Sequence, residues 1–233
     1  MEVHTNSNLQ LQQLDPKQVD LLNEKCILVD ENDNIIGAES KKVCHLMENI
    51  NKGLLHRAFS VMIFNSKNEF LITQRSDEKI TFPNYYTNTC CSHPLFNDLE
   101  MDETEAIGVK RAAQRRLHLE LGIDPLQVPL SDIKFMTKFI YKAPSSGIWG
   151  EHEIDYALVV HKDVVLNPDP NEVRSYKYLS RNELIPFLDN EAKKGYLVTP
   201  WFKLMLDKFF FTWWDNLDNL DKFCEPNKLH RLD

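Results

Sequence analysis

The sequence predicts one mixed α+β domain in which sheets carry helices on their faces. Segments with β-type alternation lie on both sides of a helical segment with one apolar face, and no Pro-, Gly- or Ser-rich linker divides the 233 residues. With 42% of its residues hydrophobic, the chain can bury a full core. We therefore expect residues 15–233 to form a single domain and the polar residues 1–14 to form a flexible arm.

The N-terminal half of the domain predicts a short helix followed by two hairpins. Asp15 and Pro16 are typical of an N-cap and a first helical residue, and we expect the helix to run to Lys25. Each hairpin is predicted from two apolar segments that a polar turn separates: Cys26–Val29 with Ile35–Ala38, and His56–Asn65 with Phe70–Arg75.

The C-terminal half predicts a longer helix, two strands and two shorter helices. Residues 106–121 form the longer helix, because apolar residues recur there every four positions, and Gly122 suits its C-terminal stop. In the second strand, Glu151, Glu153 and Asp155 share one face and the apolar residues share the other. The remaining elements are expected at Phe135–Ala143, Glu151–Val160, and near residues 180–194 and 200–220.

Charge and cysteine content exclude several classes of function. The formal net charge of −8 argues against non-specific nucleic-acid binding, which requires a basic face. No stretch approaches about 18 consecutive apolar residues, so no membrane span is expected. Five cysteines are an odd number in a chain without an apolar leader, which favours free thiols in a reducing compartment. We expect a cytosolic protein.

Several residues that could bind a metal or transfer protons are spread along the chain. The segment Thr87–Pro94 contains a thiol, Cys91, close to His93. Three histidines and two carboxylates would together make an N3O2 ligand set that suits Zn²⁺ or Mn²⁺. The members of this set are His45, His56, His93, Glu151 and Glu153. The alternatives are histidines that lie on the surface or in the core, and a carboxylate pair on a solvent-facing strand edge.

The predicted long helix places Arg116 and Glu120 one turn apart on one face. One interpretation is a surface ion pair, which contributes only a few tenths of a kcal/mol. The other is a phosphate-binding guanidinium beside a magnesium-binding carboxylate. Arg75 and Lys79 could add positive charge to the same pocket.

Five segments in order resemble the type I isopentenyl-diphosphate isomerases, above all those of animals. The resemblance covers nearly the whole chain from about Asp15 to Phe223, and it is carried by Leu55–Ser60, Thr89–Pro94, Arg111–Gly122, Gly147–Glu153 and Thr199–Trp201. It implies a Nudix-like fold of mixed sheets flanked by helices, with extra N-terminal and C-terminal elements. Residues 101–123 resemble a degraded Nudix box in which Arg116 and Leu119 replace two glutamates and only Glu120 survives. The diphosphate is therefore expected to be held and not cleaved.

The resemblance also implies roles for individual residues. Cys91 and Glu153 resemble the two catalytic groups on opposite faces of the substrate, with Tyr141 supporting Glu153, while Cys90 resembles a packing neighbour. A tightly bound divalent metal (Zn²⁺, Mn²⁺ or Mg²⁺) is implied at His45, His56, His93, Glu151 and Glu153. A Mg²⁺ that arrives with the diphosphate is implied at Glu120, with help from the Cys91 carbonyl. The implied substrate-binding residues are Lys41, Arg75, Lys79, Arg116, Ser92 and Trp201, the last of which would face the developing cation.

The implied reaction is a 1,3-proton shift between isopentenyl and dimethylallyl diphosphate, in isoprenoid and sterol synthesis, including that of cholesterol. Metal coordination would make Glu153 a weak base and its conjugate acid stronger, so we expect Glu153 with Tyr141 to protonate the alkene and Cys91 to take the C2 proton. Rival functions are a Nudix-type diphosphate hydrolase and a non-catalytic, metal-stabilised interaction module. A monomer or weak homodimer is expected.

Two positions depart from what the resemblance implies. Asn84 follows Pro83 where glycine is usual in the family, and asparagine tolerates the left-handed backbone that such a turn requires. The chain ends in His230-Arg231-Leu232-Asp233, and the terminal aspartate should block recognition of a peroxisomal His-Arg-Leu signal. We expect the cytosol, with the peroxisome as the alternative location.

Overall fold

A computed structural model describes residues 15–232, so the predicted arm at residues 1–14 lies outside the described residues. Within the described part, the chain forms ten strands and seven α-helices, joined by short 3₁₀ and π turns. In chain order they are α1 (Pro16–Leu21), β1 (Lys25–Val29), β2 (Ile35–Ser40), α2 (Lys41–Cys44), α3 (Met47–Ile50), β3 (His56–Phe64), β4 (Phe70–Arg75), β5 (Tyr86–Thr87), β6 (Cys90–Ser92), α4 (Ile107–Leu121), β7 (Lys134–Pro144), β8 (Gly150–His161), β9 (Val173–Leu179), α5 (Leu184–Lys193), α6 (Pro200–Met205), α7 (Phe211–Trp214) and β10 (Leu229–Arg231).

All ten strands belong to one mixed, branched sheet, which confirms the predicted α+β class. Its main path runs β10-β7-β8-β3-β1-β2, while β6 and β4 also pair with β3. Strands β3 and β8 are parallel over nine residue pairs, and β7 and β8 are antiparallel. The parallel pair lies at the centre of the path, where helices cover both faces, as expected for parallel strands.

The two faces of the sheet support two separate cores. Val61 and Ile63 of β3 pack with the apolar face of α4, whereas Met62 and Phe64 pack with the C-terminal helices. The predicted alternation in β8 is also confirmed. Every second residue lies on the α4 side, namely Ile154, Tyr156, Leu158 and Val160. Gly122 ends α4 with φ = 64°, the left-handed conformation expected of a C-terminal glycine.

An aromatic cluster joins the C-terminal helices to the sheet. The ring centroids of Phe210 and Trp214 lie 4.7 and 5.8 Å from that of Phe70, and the two rings lie 5.3 Å from each other. The single helix expected near residues 200–220 is divided into α6, a π turn at Leu206–Phe210 and α7. In this arrangement, both rings reach the same buried strand residue.

Three expectations about local structure need correction. The first helix ends at Leu21, because Lys25 already pairs with Ser40 in the β1–β2 hairpin. Strands β3 and β4 pair only at Phe64 and Phe70, since β4 then turns to pair with β9 along its length. The strands β5, β6, β9 and β10 were not predicted, because three of them are short and β9 is exposed over most of its length.

A left-handed turn and a close backbone approach position the segments around the site. Asn84 adopts φ = 66°, so the left-handed turn survives without glycine, as expected. At the start of β8, a Cβ added to Gly150 would lie 2.3 Å from Met47 Sδ and 2.9 Å from the carbonyl oxygen of Ala143. A glycine is therefore needed where α3 packs on β8. No helix within residues 15–232 has the length and apolar character needed to cross a membrane.

Candidate active site

The register of three neighbouring strands sets the centre of the site. His56 at the start of β3 pairs with Glu153 of β8, and Glu153 pairs on its other side with Tyr141 of β7. Glu151 and Asp155 point to the same face of β8 as Glu153, because alternate residues of a strand share a face. All of these side chains are buried, so the interpretation of Glu151 and Glu153 as a solvent-facing pair is wrong.

Three imidazoles surround one oxygen of Glu153. The Nε2 atoms of His93, His56 and His45 lie 2.8, 3.2 and 3.9 Å from Glu153 Oε1. The three ring centroids are each 4.9 Å from one another. One ligand atom from each of the four residues lies within 4.8 Å of the others. Four buried nitrogen and oxygen donors that converge in this way resemble the ligand set of a divalent cation.

The hydrogen bonds of the histidines also fit a metal centre. His45 Nδ1 donates to the carbonyl oxygen of Lys41 at 2.7 Å, which directs the Nε2 lone pair toward the cluster. Neither ring nitrogen of the fully buried His56 has a hydrogen-bond partner, because its 3.2 Å contact with Glu153 lacks hydrogen-bond geometry. An unpaired buried polar group costs about 1–3 kcal/mol, and a bound cation would remove that cost. The residues present therefore fit a divalent metal.

Electrostatics prepare the same residues as ligands. Burial lowers the pKa of His93 to about 3, and burial with the neighbouring imidazoles holds the pKa of His45 well below its usual value. Both rings are therefore neutral at pH 7, the form that binds metal. Burial opposes ionisation of Glu153, but its contacts with His56 and His93 hold the carboxyl pKa well below its usual range. At His56, burial lowers the pKa, but the neighbouring Cys44 and Glu153 outweigh it, so the pKa of this imidazole is raised. The cluster thus offers two neutral imidazoles, His45 and His93, and one anionic carboxylate.

Glu151 lies beside the cluster without belonging to its four converging residues. Tyr141 donates its hydroxyl to Glu153 Oε2 at 2.6 Å and lies 2.9 Å from Glu151 Oε2. The other oxygen of Glu151 accepts a hydrogen bond from Thr81 at 2.9 Å. Burial and the charge of Glu153 raise the pKa of Glu151 to about 7. The two carboxylates are thus joined through one tyrosine hydroxyl.

Cys91 approaches the same space from β6. Its backbone pairs with Ser60 of β3, and its Sγ lies 3.0 Å from the indole nitrogen of Trp201. Burial, followed by the charge of Asp155, raises the pKa of the Cys91 thiol to about 12, so it is protonated at pH 7. Cys90 points to the opposite face and packs in the core beneath α4, as expected of a packing neighbour.

One cavity connects these groups, with about 40 Å³ of space open to a water-sized molecule. Cys91 and Glu153 both line it. So do most of the other residues predicted for the site: Lys41, His45, Arg75, Lys79, Ser92, His93, Tyr141, Glu151 and Trp201. The structure therefore brings together residues that lie up to 160 positions apart, from Lys41 to Trp201 (201 − 41 = 160).

A second group of charges lies against this cavity. Arg116 donates to Glu120 through Nε at 2.9 Å and Nη2 at 2.6 Å, and Glu172 lies 2.5 Å from Lys79 and 3.4 Å from Arg116. Arg116 and Glu120 are 1% and 6% exposed, so the surface ion-pair interpretation is wrong. Burial, then Lys79 and Arg116, lower the pKa of Lys41. Lys41 therefore lies near two other cations, whose charge Glu120 and Glu172 offset only in part.

Arg75 and Trp201 form one wall of the cavity. The guanidinium of Arg75 donates to the backbone carbonyl oxygens of Thr81 and Phe82 and lies 5.6 Å from the centroid of the Trp201 ring. Trp201 is 2% exposed and also packs against Phe82. The arginine is thus held by backbone before any ligand binds. Trp213 and Trp214 lie in the aromatic core, as expected of packing residues.

Sequence reasoning missed several buried polar residues around the cavity. Glu172 precedes β9 in a turn, and nothing in its local sequence distinguishes it from a surface glutamate. Asn88 lies inside the Thr87–Pro94 segment, yet its role as a hydrogen-bond acceptor for Trp201 appears only in three dimensions. Asp155 shares the parity of Glu153, and that parity was the one signal that could have included it.

Comparison with known proteins agrees with this fold. The family model of the NUDIX domain matches residues 54–202. The crystal structure of DR0079 from Deinococcus radiodurans superposes with a TM-score of 0.51 at 16% identity, covering 80% of this chain and 99% of that one. At that identity the likeness concerns the fold alone. Fold and site together define a NUDIX-domain protein with a buried, metal-capable centre.

Relatives of high identity narrow the assignment. Isopentenyl-diphosphate Delta-isomerase 1 of Mus musculus is 58% identical over 219 residues, which cover 94% of this chain and 96% of that protein. Isopentenyl-diphosphate delta-isomerase 2 of Homo sapiens is 54% identical over 226 residues, covering 97% and 100%. The IDI1 enzyme of Gibberella zeae is 51% identical, covering 94% and 87%. The chain belongs to the isopentenyl-diphosphate delta-isomerase family.

Proposed function

We propose that this protein interconverts isopentenyl diphosphate and dimethylallyl diphosphate, the reaction named for its relatives. One observation carries the proposal: a thiol and a buried carboxylate, Cys91 and Glu153, line a single cavity between a cluster of imidazoles and the Trp201 ring. A double-bond shift requires one proton to arrive and another to leave at different carbons, so it needs two such groups.

The chemistry consists of two proton transfers. A proton adds to the terminal alkene carbon C4, the π electrons form the new C–H bond, and a tertiary cation remains at C3. Loss of a proton from C2 then returns its bonding electrons to form the C2=C3 double bond. Water would trap the cation, so a buried cavity is required. The Trp201 face stabilises a desolvated cation by about 2 kcal/mol without being a good nucleophile.

The order of the two transfers depends on which group carries the proton at rest. From sequence we expect Glu153, supported by Tyr141, to protonate C4 and Cys91 to take the C2 proton. With a pKa near 12 for Cys91 and a depressed pKa for Glu153, the thiol holds the resting proton. This state favours the opposite order. The proposed function requires both groups in either case.

Metal binding has two proposed places. We assign a tight divalent ion, Zn²⁺, Mn²⁺ or Mg²⁺, to His45, His56, His93 and Glu153 with the adjacent Glu151, because their donors converge and are buried. When bound, such an ion holds Glu153 in place and sets its acidity. A Mg²⁺ delivered with the diphosphate is assigned to Glu120, whose Oε1 accepts both hydrogen bonds from Arg116.

The diphosphate itself is assigned to the cationic side of the cavity. Lys41, Arg75, Lys79 and Ser92 line the cavity, and Arg116 lies behind Lys79, since both contact Glu172. The resting partner of Lys79 is a carboxylate, Glu172, which an incoming phosphate could replace. Only one glutamate of the Nudix box remains in α4, so the diphosphate has fewer carboxylates around it than hydrolysis with several Mg²⁺ requires.

The test is isomerisation in D₂O. Wild-type protein incubated with isopentenyl diphosphate and Mg²⁺ should form dimethylallyl diphosphate that contains deuterium. Cys91→Ala and Glu153→Gln should each lose activity by about 10²- to 10⁴-fold, as expected when an acid or base is removed. Cys90→Ala, which changes the neighbouring core thiol, is the matched control and should stay active.

Each rival function predicts a different outcome of the same assay. A hydrolase would release phosphate or pyrophosphate, and a metal-stabilised interaction module would bind metal without turnover. Full activity in Cys91→Ala would refute the assignment of that thiol.

We further propose that the product serves isoprenoid and sterol synthesis in the cytosol, with the peroxisome as the alternative. Co-localisation of a tagged full chain with a peroxisomal marker would support the alternative. A monomer or weak homodimer stays a prediction that sedimentation would test.

A further inference from the structure

Asn88 is fully buried, and all of its polar side-chain atoms are hydrogen-bonded. Its Nδ2 donates to the backbone carbonyl oxygens of Val61 at 3.0 Å and Cys90 at 3.1 Å. Its Oδ1 accepts from the indole nitrogen of Trp201 at 3.0 Å. A flipped amide would set N–H against N–H and C=O against two carbonyl groups. The surroundings therefore fix the direction of this side chain.

The oxygen of Asn88 is shared by the groups that face the cavity. Cys91 Sγ donates to Oδ1 at 2.9 Å, Trp201 Nε1 donates at 3.0 Å, and Thr87 Oγ1 lies 3.1 Å away. Trp201 Nε1 is also 3.0 Å from Cys91 Sγ. The thiol, the indole edge and the amide oxygen thus form a closed triangle with sides of 2.9 to 3.0 Å.

The anchor of this triangle is rigid, because the two Nδ2 bonds tie Asn88 to β3 and β6. Val61 and Cys90 are themselves paired in the β3–β6 ladder. The sheet therefore holds the amide, and the amide holds two side chains that come from different parts of the chain. Trp201 lies in α6, which contacts β5 through the hydrogen bond between Thr87 and Thr199 at 2.9 Å.

We propose that Asn88 is a positioning residue for the reaction: its Oδ1 sets the rotamer of Cys91 and the distance of the sulfur from the Trp201 ring. The inference rests on the proposed function, since it concerns the thiol and the ring assigned above. Misplacing a reacting group by about 1 Å can cost a factor of about 10² in rate. Substrate affinity should change little, because none of the cationic side chains assigned to the diphosphate hydrogen-bonds to Asn88. Of that set, Arg75 lies beside the Trp201 ring, and backbone carbonyl groups hold it in place.

The test compares Asn88→Ala with Thr89→Val. Thr89 is 1% exposed, and its hydroxyl makes two hydrogen bonds, a donation to Leu71 O at 2.6 Å and an acceptance from Ile63 N at 2.9 Å. It touches neither Cys91 nor Trp201 through that hydroxyl, so it is a control for the loss of buried hydrogen bonds. We expect Asn88→Ala to lower kcat by roughly 10- to 100-fold with KM within about twofold. Thr89→Val should lose stability but keep kcat within about twofold.

A second readout does not depend on turnover. Labelling of Cys91 by a small methanethiosulfonate, located by mass spectrometry, should be several-fold faster in Asn88→Ala than in wild type and unchanged in Thr89→Val. Equal effects of the two substitutions on kcat, or unchanged kcat and labelling in Asn88→Ala, would overturn the proposal. If Asn88→Ala does not fold, Asn88→Ser replaces it, because a serine hydroxyl is too short to span from both carbonyl groups to the sulfur. Full kcat in Asn88→Ser would also overturn the proposal.

The two proposals can fail separately. If wild type forms no dimethylallyl diphosphate, the proposed function fails and the kinetic test of Asn88 has no basis. If wild type is active while Asn88→Ala keeps wild-type kcat, only the positioning role of Asn88 fails.

Discussion

Replacing Glu172 by glutamine should show how much this carboxylate stabilises the protein through its contacts with Lys79 and Arg116. Glu172 is 4% exposed and contacts Lys79 at 2.5 Å and Arg116 at 3.4 Å. Breaking a buried ion pair by removing one partner costs about 3–5 kcal/mol. Arg116 keeps its contacts with Glu120, so the loss falls mainly on Lys79. We expect the free energy of unfolding to fall by about 3 kcal/mol at pH 7.

The effect should depend on pH in a defined direction. Burial opposes ionisation of Glu172, but Lys79 and Arg116 hold its pKa well below the usual value. A depressed pKa adds stability above the pKa of the unfolded state, about 4.3, and that stability is lost as the pH falls toward the folded-state pKa. The difference between wild type and Glu172→Gln should therefore be constant from pH 5 to 7 and narrow below about pH 4.

Thermal unfolding is the assay, and inorganic pyrophosphate with Mg²⁺ is the probe. About 3 kcal/mol corresponds to a melting temperature roughly 6–12 °C lower for a chain of this length. Because an anion can replace the missing carboxylate, saturating pyrophosphate should raise the melting temperature of Glu172→Gln more than that of wild type.

Asp33→Asn is the matched control for this comparison. Asp33 is also a buried carboxylate between two cations, with Arg57 at 2.9 Å and Lys138 at 2.8 Å. The Asp33→Asn variant should lose a comparable free energy of unfolding, but pyrophosphate should raise its melting temperature no more than that of wild type. An equal pyrophosphate gain in both variants, or no loss of stability in Glu172→Gln, would refute the reasoning.

Three further predictions concern the core, the close approach at β8 and the metal. Phe70→Ala should lower the free energy of unfolding by about 3–5 kcal/mol in a denaturant titration, because the Phe70 ring is buried among other aromatic rings. The control, Phe96→Ala, changes a side chain that is 40% exposed and should cost under about 1 kcal/mol. Gly150→Ala should cost about 1–3 kcal/mol in the same titration because the new methyl meets Met47 and the Ala143 carbonyl, and a neutral result would contradict the close packing. A chelator should lower the melting temperature of wild type, and Zn²⁺ or Mn²⁺ should restore it, while His56→Leu should respond to neither; an unchanged wild-type melting temperature would argue against a tight metal.

The parts of the fold that could be predicted from sequence are those with strong local patterns. The helix at Ile107–Leu121 and the alternation in β8 follow from residue spacing, and Gly122 marks a stop with a clear physical cause. The pairing of β4 with β9 has no local signal, because the two strands are about a hundred residues apart and β9 is largely exposed. Long-range pairing is therefore what pattern reasoning could not supply.

The candidate site shows the same division. From residue types alone, a shared metal site was one of several interpretations of His45, His56 and His93, and the family resemblance was needed to favour it. The structure places them around Glu153, as that resemblance implied. Glu172 and Asn88 were missed because burial, and not residue type, gives them their importance.

The parallel pairing of His56 with Glu153 joins residues that are 97 positions apart (153 − 56 = 97). Closing so long a loop delays this contact, because the chain loses conformational entropy before the strand pairing can stabilise the closed loop. During synthesis, the nine residues of β3 emerge long before β8 exists to cover them. A nascent chain therefore exposes an apolar strand edge that is prone to aggregation, and chaperone dependence should be greatest in chains truncated before residue 150.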